Sequence, residues 1–154
     1  SVRCALMIEP VRKSISVDTQ IGQAFEIFTA RLSEWWPLAT HSIGNSITKA
    51  ATVEGHLGGR IYEIHYDGAE ADWGVVSIWE PPNRFGMEWK VNPEASGPTV
   101  ISVHFTQREG GTEVSLSHDN WERLGDGAAE VRDRYDEGWD TVLAEFIRIN
   151  RQYS

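Results

Sequence analysis

From Gly125 to Tyr153, apolar residues recur every three or four positions: Val131, Tyr135, Trp139, Val142, Phe146 and Ile149. That spacing predicts one long amphipathic helix. Leu143 and Ile147 widen its apolar stripe, while Arg132, Arg134, Asp136, Glu137, Asp140, Glu145 and Arg148 take much of the remaining surface. Gly138 lies mid-stripe beside Tyr135 and Trp139. A glycine inside a helix costs about 1 kcal/mol against alanine, so a packing reason such as close approach of a strand is expected there. A stripe this wide needs a partner surface.

The preceding chain is patterned to supply one. Val11–Val17 alternates, with Val11, Lys13, Ile15 and Val17 on one side, and reads as a first strand. Asp18 then stands where an N-cap belongs. Ile21, Ala24, Phe25, Phe28 and Leu32 follow at helical spacing, predicting a helix from about Thr19 to Leu32. Pro37, directly after Trp35–Trp36, stops any continuation because it lacks the backbone N–H. Leu38–Ser46 is a loop carrying His41, and six strands follow: Ile47–Glu54, Arg60–Tyr66, Trp73–Glu80, Arg84–Val91, Thr99–Gln107 and Thr112–His118. Gly58–Gly59, Asp67–Gly68 with the polar run Ala69–Asp72, Pro81–Pro82, Asn92–Pro98 and Gly110–Gly111 separate them.

Strands with such short connections predict one antiparallel sheet in an α+β fold, with the C-terminal helix covering one face. The 154 residues suit a single domain, residues 1–154, with its core over about 11–150. Bulky residues that hold a curved sheet off its helix leave a groove, a common place for a ligand.

Charge narrows the partners. A net charge of −9, with no cluster of Lys and Arg among aromatics, argues against nucleic acid and against anionic membrane surfaces. Cys4 is the only cysteine, and the apolar run Ala5–Ile8 is too short for a signal core or a membrane span. A cytoplasmic protein is the plain expectation. His41, His56, His65, His104 and His118 form no metal-ligand spacing, so no metal is expected. Gly58–Gly59 lacks the Lys-Ser/Thr pair of a phosphate loop, and no nucleophile elbow occurs, so neither a cofactor nor covalent catalysis is expected.

The candidate chemistry is sparse. Alternation sends His118 to the same side as Val114 and Leu116, towards the long helix, where an imidazole can bind a polar group or exchange a proton. The competing reading is a hydrogen-bonded histidine at a strand end. Glu54, Arg60 and Glu63 sit on neighbouring strands, with Arg60 and Glu63 differing in parity. An inward carboxylate there needs a partner or a raised pKa, whereas an outward one is a solvated ion pair. His41 follows the paired tryptophans and is either a gate or a surface residue. Trp36, Tyr62, Trp73, Trp89, Tyr135 and Trp139 either line a cavity or fill the space completely. A β-bulge would reverse the parity of the third and fourth strands.

Several stretches together resemble a known family. Ala24–Phe25, Phe28–Thr29, Trp35–Trp36–Pro37, Glu54, Gly58–Gly59–Arg60, Asp67–Gly68, Trp73–Gly74–Val75–Val76, Trp79–Glu80–Pro81–Pro82, Gly111–Thr112–Glu113–Val114 and Gly138–Trp139 occur in the order seen in bacterial homologues of the activator of heat-shock protein 90 ATPase. These belong to the START-like (SRPBCC, Bet v 1-like) helix-grip superfamily, and the resemblance runs from about Val11 to Ile149. It implies a curved antiparallel sheet of about six to seven strands, two short helices after the first strand, and a long C-terminal helix over a cavity. The superfamily includes lipid and hormone binders, polyketide cyclases and co-chaperone domains, and fold does not choose among them. The leading expectation is non-catalytic binding of a small apolar or aromatic molecule between sheet and helix. The alternatives are a co-chaperone-type protein-interaction module, and a cofactor-free cyclase or lyase using His118 with an inward Glu. A monomer or a homodimer fits either. A closed apolar cavity would favour binding, and a filled interior with an exposed apolar patch would favour interaction.

Overall fold

The computed structural model describes residues 8–92 and 95–154. Cys4 and most of the apolar run Ala5–Ile8 lie outside the described residues. The chain runs β1 (Val11–Val17), α1 (Ile21–Thr29), α2 (Leu32–Trp35), β2 (Thr48–Val53), β3 (Arg60–His65), β4 (Glu70–Glu80), β5 (Arg84–Trp89), β6 (Thr99–Arg108), β7 (Gly111–Asp119) and α3 (Ala128–Tyr153). Short 3-10 turns precede β2 and α3. The strands form one antiparallel sheet in the order β1-β7-β6-β5-β4-β3-β2, curled around α3. This is the helix-grip arrangement.

Alternation places Phe85, Met87 and Trp89 of β5 on the inner face with Ile101, Val103 and Phe105 of β6 and Val114 and Leu116 of β7. Against them α3 buries Trp139, Val142, Leu143, Phe146 and Ile149. The core between has two halves. In one, Phe25, Phe28, Trp35, Phe85, Phe105 and Phe146 meet edge to face or tilted, with centroids 4.8–6.0 Å apart, and fill the space. In the other, tryptophans predominate and the packing opens.

Some local expectations are corrected. Helix α1 begins at Ile21, not Thr19, and Asp18 does not cap it. The first free helical N–H, that of Ile21, is met instead by Gln107 Oε1 of β6 at 2.9 Å, a tertiary cap that no local pattern encodes. The predicted single helix breaks after Thr29, and Leu32–Trp35 forms a separate turn that carries both Trp35 and Trp36 into the core. The polar run Ala69–Asp72 is mostly strand, not connection: Glu70 and Asp72 face solvent and hold Arg60 across the sheet at 2.9 and 2.8 Å. Gly125 and Gly127 both adopt positive φ, so α3 starts after them. The register shifts between Ile61 and Tyr62 against β4, and again between Val76 and Ile78 against β5. The first bulge turns Trp73 inward.

Candidate functional site

The open half of the core is a cleft of about 290 Å³ between α3, Trp73 and Trp89 of the mid-sheet strands β4 and β5, and the loop after Trp36. Rings form most of its wall. Trp36 lies 5.0 Å from Trp73 and 5.7 Å from Trp139 between centroids, and Trp73 lies 5.6 Å from Trp89. Tyr135, Val142 and Gly138 come from α3, and His41, Ser42 and Ile43 come from the loop.

Each indole N–H on this wall is committed within the protein. Trp36 donates to the His41 carbonyl at 2.7 Å, Trp73 to Glu63 Oε1 at 2.6 Å, Trp89 to Tyr135 Oη at 2.9 Å, and Trp139 to His118 Nδ1 at 3.0 Å. With the donors anchored, the rings are fixed and present π surface.

Two buried polar residues hold the walls from behind. Glu63, on β3, is wholly buried, and its carboxylate accepts from Trp73 Nε1, from the backbone N–H of Ile43 and Gly44 at 2.7 Å each, from Thr48 Oγ1 at 2.8 Å, and from His65 Nε2 at 2.6 Å. Burial alone would push this carboxyl up. The hydrogen bonds from Trp73, Ile43, Gly44 and His65 outweigh it and draw the group down to about 2. Gly44 makes the arrangement sterically feasible: a Cβ there would lie 2.6 Å from His65 Nε2 and 2.8 Å from Thr48 Oγ1. Glu63 is thus the anchor of the loop that carries His41, Ser42 and Ile43.

His118, on β7, is also wholly buried. An indole only donates, so His118 Nδ1 must accept from Trp139, and the ring proton sits on Nε2, 2.8 Å from Thr99 Oγ1. Trp121 packs at 4.1 Å and Tyr135 at 5.2 Å from the imidazole centroid. Burial pushes its pKa down to about 3, so the ring is neutral under ordinary conditions.

The structure therefore brings Trp36, His41, Trp73, Trp89, Tyr135 and Trp139 together on one wall and sets Glu63 and His118 one layer behind it. Tyr62 faces away from the cleft, because it alternates with the inward Ile61 and Glu63, and it lies under the Arg60 guanidinium at 3.9 Å. Glu54 is exposed beyond the end of β2 and accepts from the Arg60 backbone N–H at 2.8 Å. Gly138 meets no strand. A Cβ there would find only His41 Cδ2, at 3.8 Å. The wall also includes Arg134, Val91 and Val142. By sequence, Arg134 falls off the apolar stripe and Gly138 is given a packing role; the signal for both as cleft residues is their i, i+4, i+8 spacing with Val142, beside Tyr135 and Trp139. Val91 lies past the end of β5, but in the predicted strand Arg84–Val91 it shares the parity of Phe85, Met87 and Trp89, a signal that could have found it.

Among the described residues no group of three or more His, Cys, Asp or Glu is placed to hold a metal ion. No helix among them is long and apolar enough to cross a membrane. Among the described residues, four large apolar side chains stand exposed: Ile43, Ile47, Leu57 and Tyr66.

The family model for "Activator of Hsp90 ATPase homolog 1-like protein" matches residues 18–149. The chain belongs to this family. Among solved structures, this family member is similar to an anthrahydroquino-γ-pyrone synthase, Txn09, complexed with a molecule designated SUM. The two share 33% identity over 94% of this chain and 98% of that one, with a TM-score of 0.66. The Aha1 dimer from Colwellia psychrerythraea has the same fold at 20% identity, covering 91% and 94% of the two chains, with a TM-score of 0.63. A Nitrosomonas europaea protein does so at 12% identity, 94% and 95% coverage and a TM-score of 0.67. No curated protein matches the chain.

Proposed function

We propose that this protein binds a flat aromatic molecule of a few fused rings in the cleft between α3 and strands β4 and β5. One observation carries the reading. Four tryptophans line a space of about 290 Å³ with their N–H groups all spent inside the protein, so the site offers ring surface and few hydrogen bonds. That chemistry favours stacking over recognition of a polar ligand. The co-chaperone reading draws on the family's description and on exposed Ile43, Ile47, Leu57 and Tyr66, but an open aromatic cleft has no part in it.

Titration with anthracene or 9,10-anthraquinone, read by tryptophan fluorescence, tests the proposal. Saturable quenching is expected in the wild-type protein. Gly138→Leu, which projects a side chain towards His41 across the cleft, should weaken binding at least tenfold while the protein stays folded by circular dichroism. Unsaturable quenching, or equal binding by the plugged variant, would refute it.

A second reading, that the bound molecule is also closed into an oxygen heterocycle, is favoured by the 33% identity to a γ-pyrone synthase over nearly both full lengths. In that reading His41, whose imidazole lies on the wall with Nδ1 2.7 Å from Thr40 Oγ1, is the nearest group able to accept a proton. His118 and Glu63 serve as supports, since both are buried with their polar atoms engaged.

A further inference from the structure

The geometry points to the Tyr135 hydroxyl as a hydrogen-bond donor that selects, among flat aromatic ligands, those bearing a quinone or aryl-ketone oxygen. This rests on the aromatic-binding reading above and names the ligand class for the same site.

A phenol oxygen accepts through its lone pairs and donates one hydrogen. Tyr135 Oη already accepts from Trp89 Nε1 at 2.9 Å, and the two rings stand nearly perpendicular, at 89°. The Asn92 side chain lies close enough to the same oxygen to act on its ionisation, and its amide nitrogen is buried with no partner among the described residues. No described residue accepts the Tyr135 hydroxyl hydrogen. Buried polar groups are nearly always paired, so donors converging on one edge of an apolar cleft call for an acceptor that the ligand supplies.

Two further features fix the sign. Burial pushes the Tyr135 phenol up, against smaller opposing pulls from Trp89, Asn92 and Arg134, so the group keeps its proton and remains a donor. Arg134, the adjacent residue on α3, also lines the cleft, while no carboxylate does among the described residues. Arg134 is thus the one lining residue of fixed charge among the described residues. A guanidinium only donates hydrogen bonds, so it too suits an acceptor oxygen. A donor held on a rigid helix and fixed by Trp89 is already organised for the carbonyl oxygen, and would stabilise negative charge developing there if the bound carbonyl reacts.

Anthracene and 9,10-anthraquinone share a ring system and differ in the carbonyl oxygens, so they separate stacking from donation. In the wild-type protein the quinone is expected to bind about tenfold more tightly, the size of one good hydrogen bond. Tyr135→Phe should remove that preference, bringing the affinity ratio of quinone to anthracene close to one. The carbonyl stretch of bound anthraquinone, read by infrared difference spectroscopy, should move to lower frequency in the wild-type protein and return in Tyr135→Phe. The wild-type spectrum alone tests the bond, even if the variant is poorly folded. Equal affinity for both probes with an unshifted carbonyl band would overturn the inference and leave the aromatic reading standing. Failure of both probes to bind would overturn the aromatic reading itself.

Discussion

Replacing His118 by Asn should flatten the acid side of this protein's stability curve, and the structure sets the window. His118 is wholly buried, accepts from Trp139 at Nδ1 and faces Thr99 at Nε2. Protonating it would set an N–H against the indole N–H in a wholly buried site, and burial holds its pKa near 3. In the unfolded chain a histidine takes its proton near pH 6.5. Between these values the unfolded state binds a proton that the folded state refuses, so stability present above pH 6.5 is lost as pH falls. One such proton costs about 1.4 kcal/mol per pH unit, giving about 2 kcal/mol of destabilisation between pH 7.5 and pH 5. Urea unfolding followed by circular dichroism at pH 7.5, 6.5, 5.5 and 5.0 measures this directly. Asn is chosen because its Oδ1 can take the place of Nδ1 as acceptor for Trp139, while the loss of the ring contact with Trp121 lowers stability at every pH. Its curve should lie below the wild-type one at pH 7.5 and run about 2 kcal/mol shallower down to pH 5. A variant curve parallel to the wild-type curve through that window would refute the assignment of His118 as a buried neutral residue.

Glu63 governs a lower window. Its folded pKa, near 2, lies below the ordinary carboxyl value, so its contribution is present above about pH 4.5 and fades as pH falls towards 2. Glu63→Gln should cost about 3 kcal/mol near neutrality by leaving converging donors without a charged acceptor, and should remove the steepening below pH 4.5. The same variant should release the Ile43 and Gly44 amides, which Glu63 accepts, to rapid hydrogen exchange; undiminished protection there would refute Glu63 as the loop's anchor. Gly138→Ala should stabilise the protein by about 0.5–1 kcal/mol, because the added Cβ meets only His41 Cδ2 at an ordinary 3.8 Å while the helix gains propensity. A fall in thermal midpoint would mean that the cleft side of α3 is more tightly packed than this geometry allows.

The fold was legible because its signals are periodic. The α3 stripe repeats over 26 residues, and the inner faces of β5, β6 and β7 alternate without interruption. What escaped was set by contacts distant in sequence. Nothing near Asp18 tells that Gln107, 86 residues away from Ile21, supplies the helix cap. Nothing within Ala69–Asp72 tells that two acidic residues will be held in a strand by Arg60. The site divides in the same way. Trp89 and Trp139 lie on well-patterned elements and could be placed from parity. Trp73 reaches the cleft through a bulge. Tyr62 was misplaced because β3 fixes its face by the inward Ile61 and Glu63, which aromatic character alone cannot report. Gly138 carried a true signal with a different cause: it borders open space and the His41 loop, not a strand.

The residues that look most chemical in the sequence are the ones the structure withholds from a ligand. His118 is neutral, with both ring nitrogens engaged, and could pass a proton only by giving up Trp139 or Thr99. Glu63 is ionised and surrounded by donors, so it is a weak base whose protonation would loosen the loop. Each would lose a wall in order to react. The groups free to act without dismantling the cleft are on its surface, the Tyr135 hydroxyl and the His41 ring. Any ring closure in this cleft must therefore draw its proton traffic from those two. If the bound molecule is closed into a ring, substituting either should slow turnover with the fold intact, whereas substituting His118 or Glu63 should lower turnover and stability together.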